Sequence, residues 1–158
     1  VEIVQDDTKL NQKDQDRAKK RMAIALRRYL TGSAPCHKYK ALFGCTQSFL
    51  KAFIAHQLND SMTWENFGTT WQITHILPLH HFNQTKDSDL KLCWNWSNLK
   101  PVKWGEASTL NAHAVPILQE RLSHFPDNIN LLELTFIARK LKSTTQENWS
   151  TFNPTQGD

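Results

Sequence analysis

At 158 residues and 18.3 kDa, the chain suits one domain with a moderate core and extensions at either end, with little room for a second full domain. Hydrophobic residues make up 39% and charged residues 22%, as in ordinary globular proteins, and no run approaches the roughly 18 to 20 apolar residues needed to cross a bilayer, so no membrane partner is expected. The net charge of +4 is unevenly placed: residues 13–28 hold seven basic side chains (Lys13, Arg17, Lys19, Lys20, Arg21, Arg27 and Arg28) against Asp14 and Asp16, a local +5.

Concentrated positive charge suits a polyanion, because each phosphate it neutralises releases condensed counterions. A solvated helix face would carry the same charge, and charge alone leaves both readings open. Cys36, Cys45 and Cys93 are odd in number and widely spaced, which fits neither a disulfide framework nor a C-x-x-C zinc clip. With no secretory pattern at the start, the expected setting is intracellular and reducing. Stability must then rest on an apolar core, to which six Trp and eight Phe bring large buried areas.

Residues 1–12 are polar and acidic with little periodicity and read as a flexible lead-in. A helix is predicted over residues 13–30, where Ala18, Met22, Ala25, Leu26 and Tyr29 recur at three- and four-residue steps, with Gly32 as its C-cap. A short segment ends at Phe43 and Gly44. Thr46 is then the expected N-cap of a helix carrying Leu50, Phe53, Ile54 and Leu58.

After a turn-rich stretch over 59–68, the bulky and β-branched residues 71–76 predict a strand that Pro78 stops. Asp87 or Ser88 would cap a short helix through Cys93. Residues 99–102 are the candidate second strand, 106–113 a crossing helix, and 127–141 a final helix built on Leu131, Leu132, Leu134, Phe136 and Ile137. The Ser, Thr, Gln and Asn of residues 143–158 predict a tail that is disordered or draped on a partner. The expected divisions are therefore the lead-in (1–12), a helical N-terminal part (13–60), a mixed core with its C-terminal helix (61–142) and the tail (143–158).

The most specific stretch runs from residue 71 to residue 107. It opens with WQITHILPLHHF over 71–82 and closes with WSNLKPVKWGEA over 96–107, preceded by MTWENFG over 62–68. This order resembles the His-Me finger (ββα-metal, HNH) nuclease family of the phage and viral type, whose pattern runs W-x-I-D-H-I-x-P-L, then N-L-x-P, then a ligand Asn or His. Trp71, Ile73, His75, Ile76, Pro78, Asn98, Leu99 and Pro101 match it. The fold so implied is α+β, a mainly helical single domain around a ββα motif, with the basic N-terminal helix and a C-terminal helix beside it.

The resemblance implies catalytic positions at His75, as the base that takes a proton from water, and at Asn98, whose amide braces the loop that holds the His. The metal positions depart from the pattern. Thr74 stands where the family has Asp, and Ala107 where it has the final Asn or His. A hard divalent cation prefers anionic or carbonyl oxygen; Thr74 offers a neutral hydroxyl and Ala107 offers nothing. His80 and Glu106 could stand in only with rearrangement, since adjacent helical residues point about 100° apart, and with His75 they would suit Zn²⁺ better than Mg²⁺.

Three readings follow. One is an active DNA endonuclease with rearranged ligands and a divalent cation, Mg²⁺ or Zn²⁺. The second is a nucleic-acid-binding pseudoenzyme that keeps the scaffold while hydrolysis is weakened or lost. The third is a structural component of a ribonucleoprotein or viral assembly. The residues favour the second, with DNA rather than RNA as partner, no cofactor, and phosphates held by Arg17, Lys20, Arg21, Arg27, Arg28, Lys100 and Lys103.

Overall fold

Helix α1 spans Glu2–Thr31 in the computed structural model, which describes residues 2–32, 36–106, 110 and 113–150. The lead-in expected over 1–12 is thus helical from Glu2. Residues 2–12 contain neither Gly nor Pro, so nothing in them breaks a helix. Ala18, Met22, Ala25, Leu26 and Tyr29 form the buried stripe, each 5% exposed or less. The helix stops at Gly32, whose φ of 81° suits a residue without Cβ.

Two short helices fold back on α1. The segment before Phe43, with no predicted structure, is helix α2, Cys36–Phe43, and its Phe43 ring stacks on Tyr29 at 5.5 Å. Gly44 turns the chain with φ 74°, and a Cβ there would collide with the Asn95 amide. Helix α3, Gln47–His56, begins as expected, with the Thr46 hydroxyl accepting from the Phe49 N–H at 3.2 Å. Tyr29 ties the pieces together: its hydroxyl donates to the Cys45 carbonyl at 2.8 Å, and its own carbonyl accepts from Gln47 at 2.7 Å.

The two strands, β1 (Trp71–His75) and β2 (Leu99–Lys103), pair antiparallel, with Trp71 opposite Lys103 and His75 opposite Leu99. Pro101 is tolerated because a two-stranded sheet has only edges. Trp71 is fully buried, and its indole N–H donates to the Thr63 carbonyl at 2.6 Å. Phe67 stacks on it at 4.5 Å, so the aromatic run before the strand serves as its packing partner. Between the strands lies α4, Asp87–Cys93. Its cap position is Lys86, with no side-chain cap bond; Asp87 and Ser88 lie inside the helix, not at its cap.

The crossing helix expected over 106–113 lies mostly outside the described residues. Glu106 lies in the turn after β2, its N–H donating to the Lys103 carbonyl at 3.1 Å, and residues 107–109 and 111–112, including Ala107, lie outside the described residues. The next α-helix among the described residues is α5, Ala114–His124. Pro116 suits its first turn, where a missing N–H leaves no bond unmade. Helix α6, Ile129–Ser150, packs against α5, and Leu118, Leu131 and Leu134 are fully buried. The polar tail from 143 is therefore helical as far as Ser150, and 151–158 lie outside the described residues. Leu132 (46% exposed) and Phe136 (68%) do not build the core as expected, because the helical repeat gives the buried face to Leu131, Leu134 and Ala138.

The result is a mixed, mostly helical protein with one small antiparallel sheet. No helix among the described residues is long and apolar enough to cross a membrane.

Candidate nucleic-acid interface

Asn98 is fully buried just before β2. Its side-chain oxygen accepts from the Leu77 N–H at 2.8 Å, and its amide nitrogen donates to the carbonyls of Leu77 at 3.1 Å and Cys93 at 2.9 Å. Its own carbonyl accepts from the Ile76 N–H at 2.8 Å. The residue thereby fastens the exit of β1 to the entry of β2. An apolar replacement would leave three backbone groups buried without partners.

His75 stands at the end of β1 beside this clamp. Its ring meets Trp94 edge to face at 4.3 Å, only 8% of the residue is exposed, and Nε2 has no hydrogen-bond partner among the described residues. Burial holds the imidazole neutral, with its pKa lowered to about 3. A base this weak and this covered is poorly placed to take a proton from water.

Thr74 points to the other face of the strand. It lies opposite Lys100 across the ladder, so its hydroxyl and the His75 ring are not brought together. His80 and His81 follow in a turn of 3₁₀ helix, exposed, with rings 4.2 Å apart; burial, then the neighbouring His80, lowers the pKa of His81. Among the described residues no three His, Cys, Asp or Glu side chains lie close enough to hold a metal ion, so His75, His80 and Glu106 do not assemble a ligand set.

The basic residues of α1 separate cleanly from its buried stripe. At 100° per residue, Lys13, Arg17, Lys20, Arg21, Arg27 and Arg28 fall within an arc of about 120° opposite that stripe. All six are exposed. Lys19 lies closer to the core and reaches Asp16 at 3.9 Å, while Arg27 also covers the Phe67 ring at 5.1 Å. Lys100 and Lys103, three residues apart on β2, point to opposite faces of the sheet and do not form one patch.

Lys100 instead meets residues that the sequence did not single out. The Gln57 side-chain oxygen accepts from Lys100 at 3.5 Å and from Arg121 of α5 at 2.9 Å. Arg121 is only 8% exposed, donates also to the Ser97 carbonyl at 2.7 Å, and lies 4.8 Å over the Phe53 ring. Burial pushes its pKa down to about 10, and burial with the nearby guanidinium lowers that of Lys100. The available signal was an Arg on the apolar stripe of residues 114, 118 and 121, a spacing recognisable only once α5 itself is.

Two uncharacterized proteins of Acanthamoeba polyphaga mimivirus are similar to this chain. One is 29% identical over 79 residues, half of this chain and 35% of the relative. The other is 33% identical over 64 residues, 40% of this chain and 28% of the relative. The chain therefore spans about a third of the length of these curated relatives. No family model matches the sequence, and no solved structure matches it.

Proposed function

We propose that the protein is a nucleic-acid-binding domain built on an HNH-like hairpin, a pseudoenzyme in which phosphodiester hydrolysis is weakened or lost. The observation that carries this reading is the exposed basic face of α1, six side chains over residues 13–28. At 1.5 Å per residue they extend about 22 Å along the helix, a length that follows several phosphates of a duplex. DNA is the preferred partner. The hairpin clamped by Asn98, with His75 at the strand end, supports the family reading, as do the matching residues around both.

The loss of hydrolysis draws on the donor set. Neither Thr74, facing Lys100, nor the covered His75 offers a divalent cation an anionic oxygen. The test measures duplex DNA binding across salt concentrations together with plasmid cleavage in Mg²⁺, Mn²⁺ or Zn²⁺, for the native chain and for Thr74→Asp combined with Ala107→Asn. Binding that weakens steeply with salt, with no cleavage by the native chain, is the expected result. Salt-insensitive binding would refute the phosphate-led interface, and cleavage by the native chain that disappears in His75→Ala would establish an active nuclease instead.

A second reading, a structural component of a larger assembly, draws on the apolar side chains of Ile129, Leu132 and Phe136 exposed on α6. They lie three and four residues apart, so they share one face. A native chain that stays monomeric at high concentration and binds no apolar dye would remove its support.

A further inference from the structure

The cleft between α3 and α5 has a volume of about 640 Å³, within the range of small-ligand sites. Its floor is unusual in charge. Lys100 and Arg121 share one neutral acceptor, the Gln57 oxygen, and neither forms an ion pair among the described residues. Glu120 lines the cleft as well and its carboxylate favours the charged form of both, but it is exposed and screened by solvent. A nearly buried guanidinium is costly unless its charge is well balanced, and here two neighbouring cations face one exposed carboxylate.

One wall of the same cleft is aromatic. Phe49 and Phe53, four residues apart on α3, hold their rings within 8° of parallel, and Phe125 closes edge-on against both at 6.4 Å. Phe53 is already covered by Arg121. Phe49 is 36% exposed and leaves a flat apolar surface beside the cations.

We infer that this cleft binds a nucleotide unit, with its phosphate on Lys100 and Arg121 and its base against Phe49. An arginine fork and a neighbouring ammonium match phosphate oxygens, and an aromatic face accepts any base by stacking. The unit is either a free mononucleotide or one unpaired residue of a longer strand. In the second case the inference rests on the nucleic-acid reading and gives that interface a second contact, separate from the basic face of α1.

Calorimetry on the full chain distinguishes these cases, using adenosine monophosphate, adenosine, inorganic phosphate and a short single-stranded oligonucleotide as probes. The mononucleotide is expected to bind more tightly than adenosine or phosphate. Lys100→Gln and Phe49→Ala should each weaken it by about tenfold, the scale of one base-aromatic contact. Arg121→Gln serves only as a supplementary variant, because its burial puts folding at risk. Arg17→Glu with Arg21→Glu should leave mononucleotide binding intact. Oligonucleotide binding that responds to the α1 variants but not to Lys100→Gln or Phe49→Ala, with no mononucleotide binding, would overturn this inference and leave the nucleic-acid reading standing. Mononucleotide binding lost in the cleft variants, with no oligonucleotide binding, would do the reverse. Binding unaffected by either cleft substitution would also reject the site.

Discussion

The Asn98 side chain holds Leu77 at both of its backbone polar groups, accepting from its N–H at 2.8 Å and donating to its carbonyl at 3.1 Å. Two residues far apart in sequence thus fix the relation between the end of β1 and the start of β2. Asn98→Ala is expected to lower the free energy of unfolding by about 2 to 4 kcal/mol, because it strands buried backbone groups of Leu77 and Cys93. Asn98→Asp should do no better, since it turns a donor into an acceptor facing two carbonyls. Urea unfolding gives the value, and a loss below about 0.5 kcal/mol would contradict the clamp.

His75 links stability to pH. Its folded pKa, lowered by burial to about 3 from the ordinary imidazole value of 6.5, means that the unfolded chain binds the proton more readily. The stability this contributes is present above the unfolded value and is lost as pH falls from there toward the folded one. The loss from this single group should approach a slope of about 1.4 kcal/mol per pH unit below pH ~6. His81 is shifted in the same direction and adds to the slope. In His75→Gln the contribution of His75 should vanish between pH ~6 and ~5, before most carboxylates titrate; identical pH profiles for the two proteins would mean that the imidazole is not buried neutral.

Charge reversal on α1 tests the proposed interface directly. Arg17 and Arg21 lie one turn apart on its exposed basic face, and their joint replacement by Glu should reduce the steepness of the plot of log affinity against log salt for duplex DNA by about two contacts' worth, roughly 0.9 each. Helix content by circular dichroism should stay unchanged, since neither side chain is buried. An unaltered salt slope would place the phosphate contacts elsewhere.

The thiols of Cys45 and Cys93 are free, and burial raises the pKa of each to about 12. The thiolate is the reactive form. In a Cys36→Ser background, native protein should therefore react slowly with a thiol reagent at neutral pH and fully once unfolded in denaturant. Rapid labelling of two thiols in the native state would show that these sites are open.

Much of the local structure could be read from the chain. The spacing of Ala18, Met22, Ala25, Leu26 and Tyr29 defines the buried stripe of α1, the Thr46 hydroxyl caps α3, and the β-branched and aromatic residues over 71–76 match β1. These features depend on contacts between near neighbours, so periodicity and residue chemistry suffice. The helical extension at each end is less legible, because polar residues without Gly or Pro permit a helix without announcing one; α5 is missed because Pro116 near its start reads as a breaker until the helix's first turn is located.

Pairing and burial required the whole molecule. Alternation along β2 separates Lys100 from Lys103, but only the packing of α3, β2 and α5 brings Lys100, Gln57 and Arg121 together. Likewise, the residue types at 74, 75 and 98 fix what chemistry each can offer, whereas the tertiary structure covers His75 and turns Thr74 toward Lys100. Local sequence sets a side chain's chemistry and its spacing along an element. Which elements meet, and hence the solvent and charge around that side chain, is decided by long-range packing.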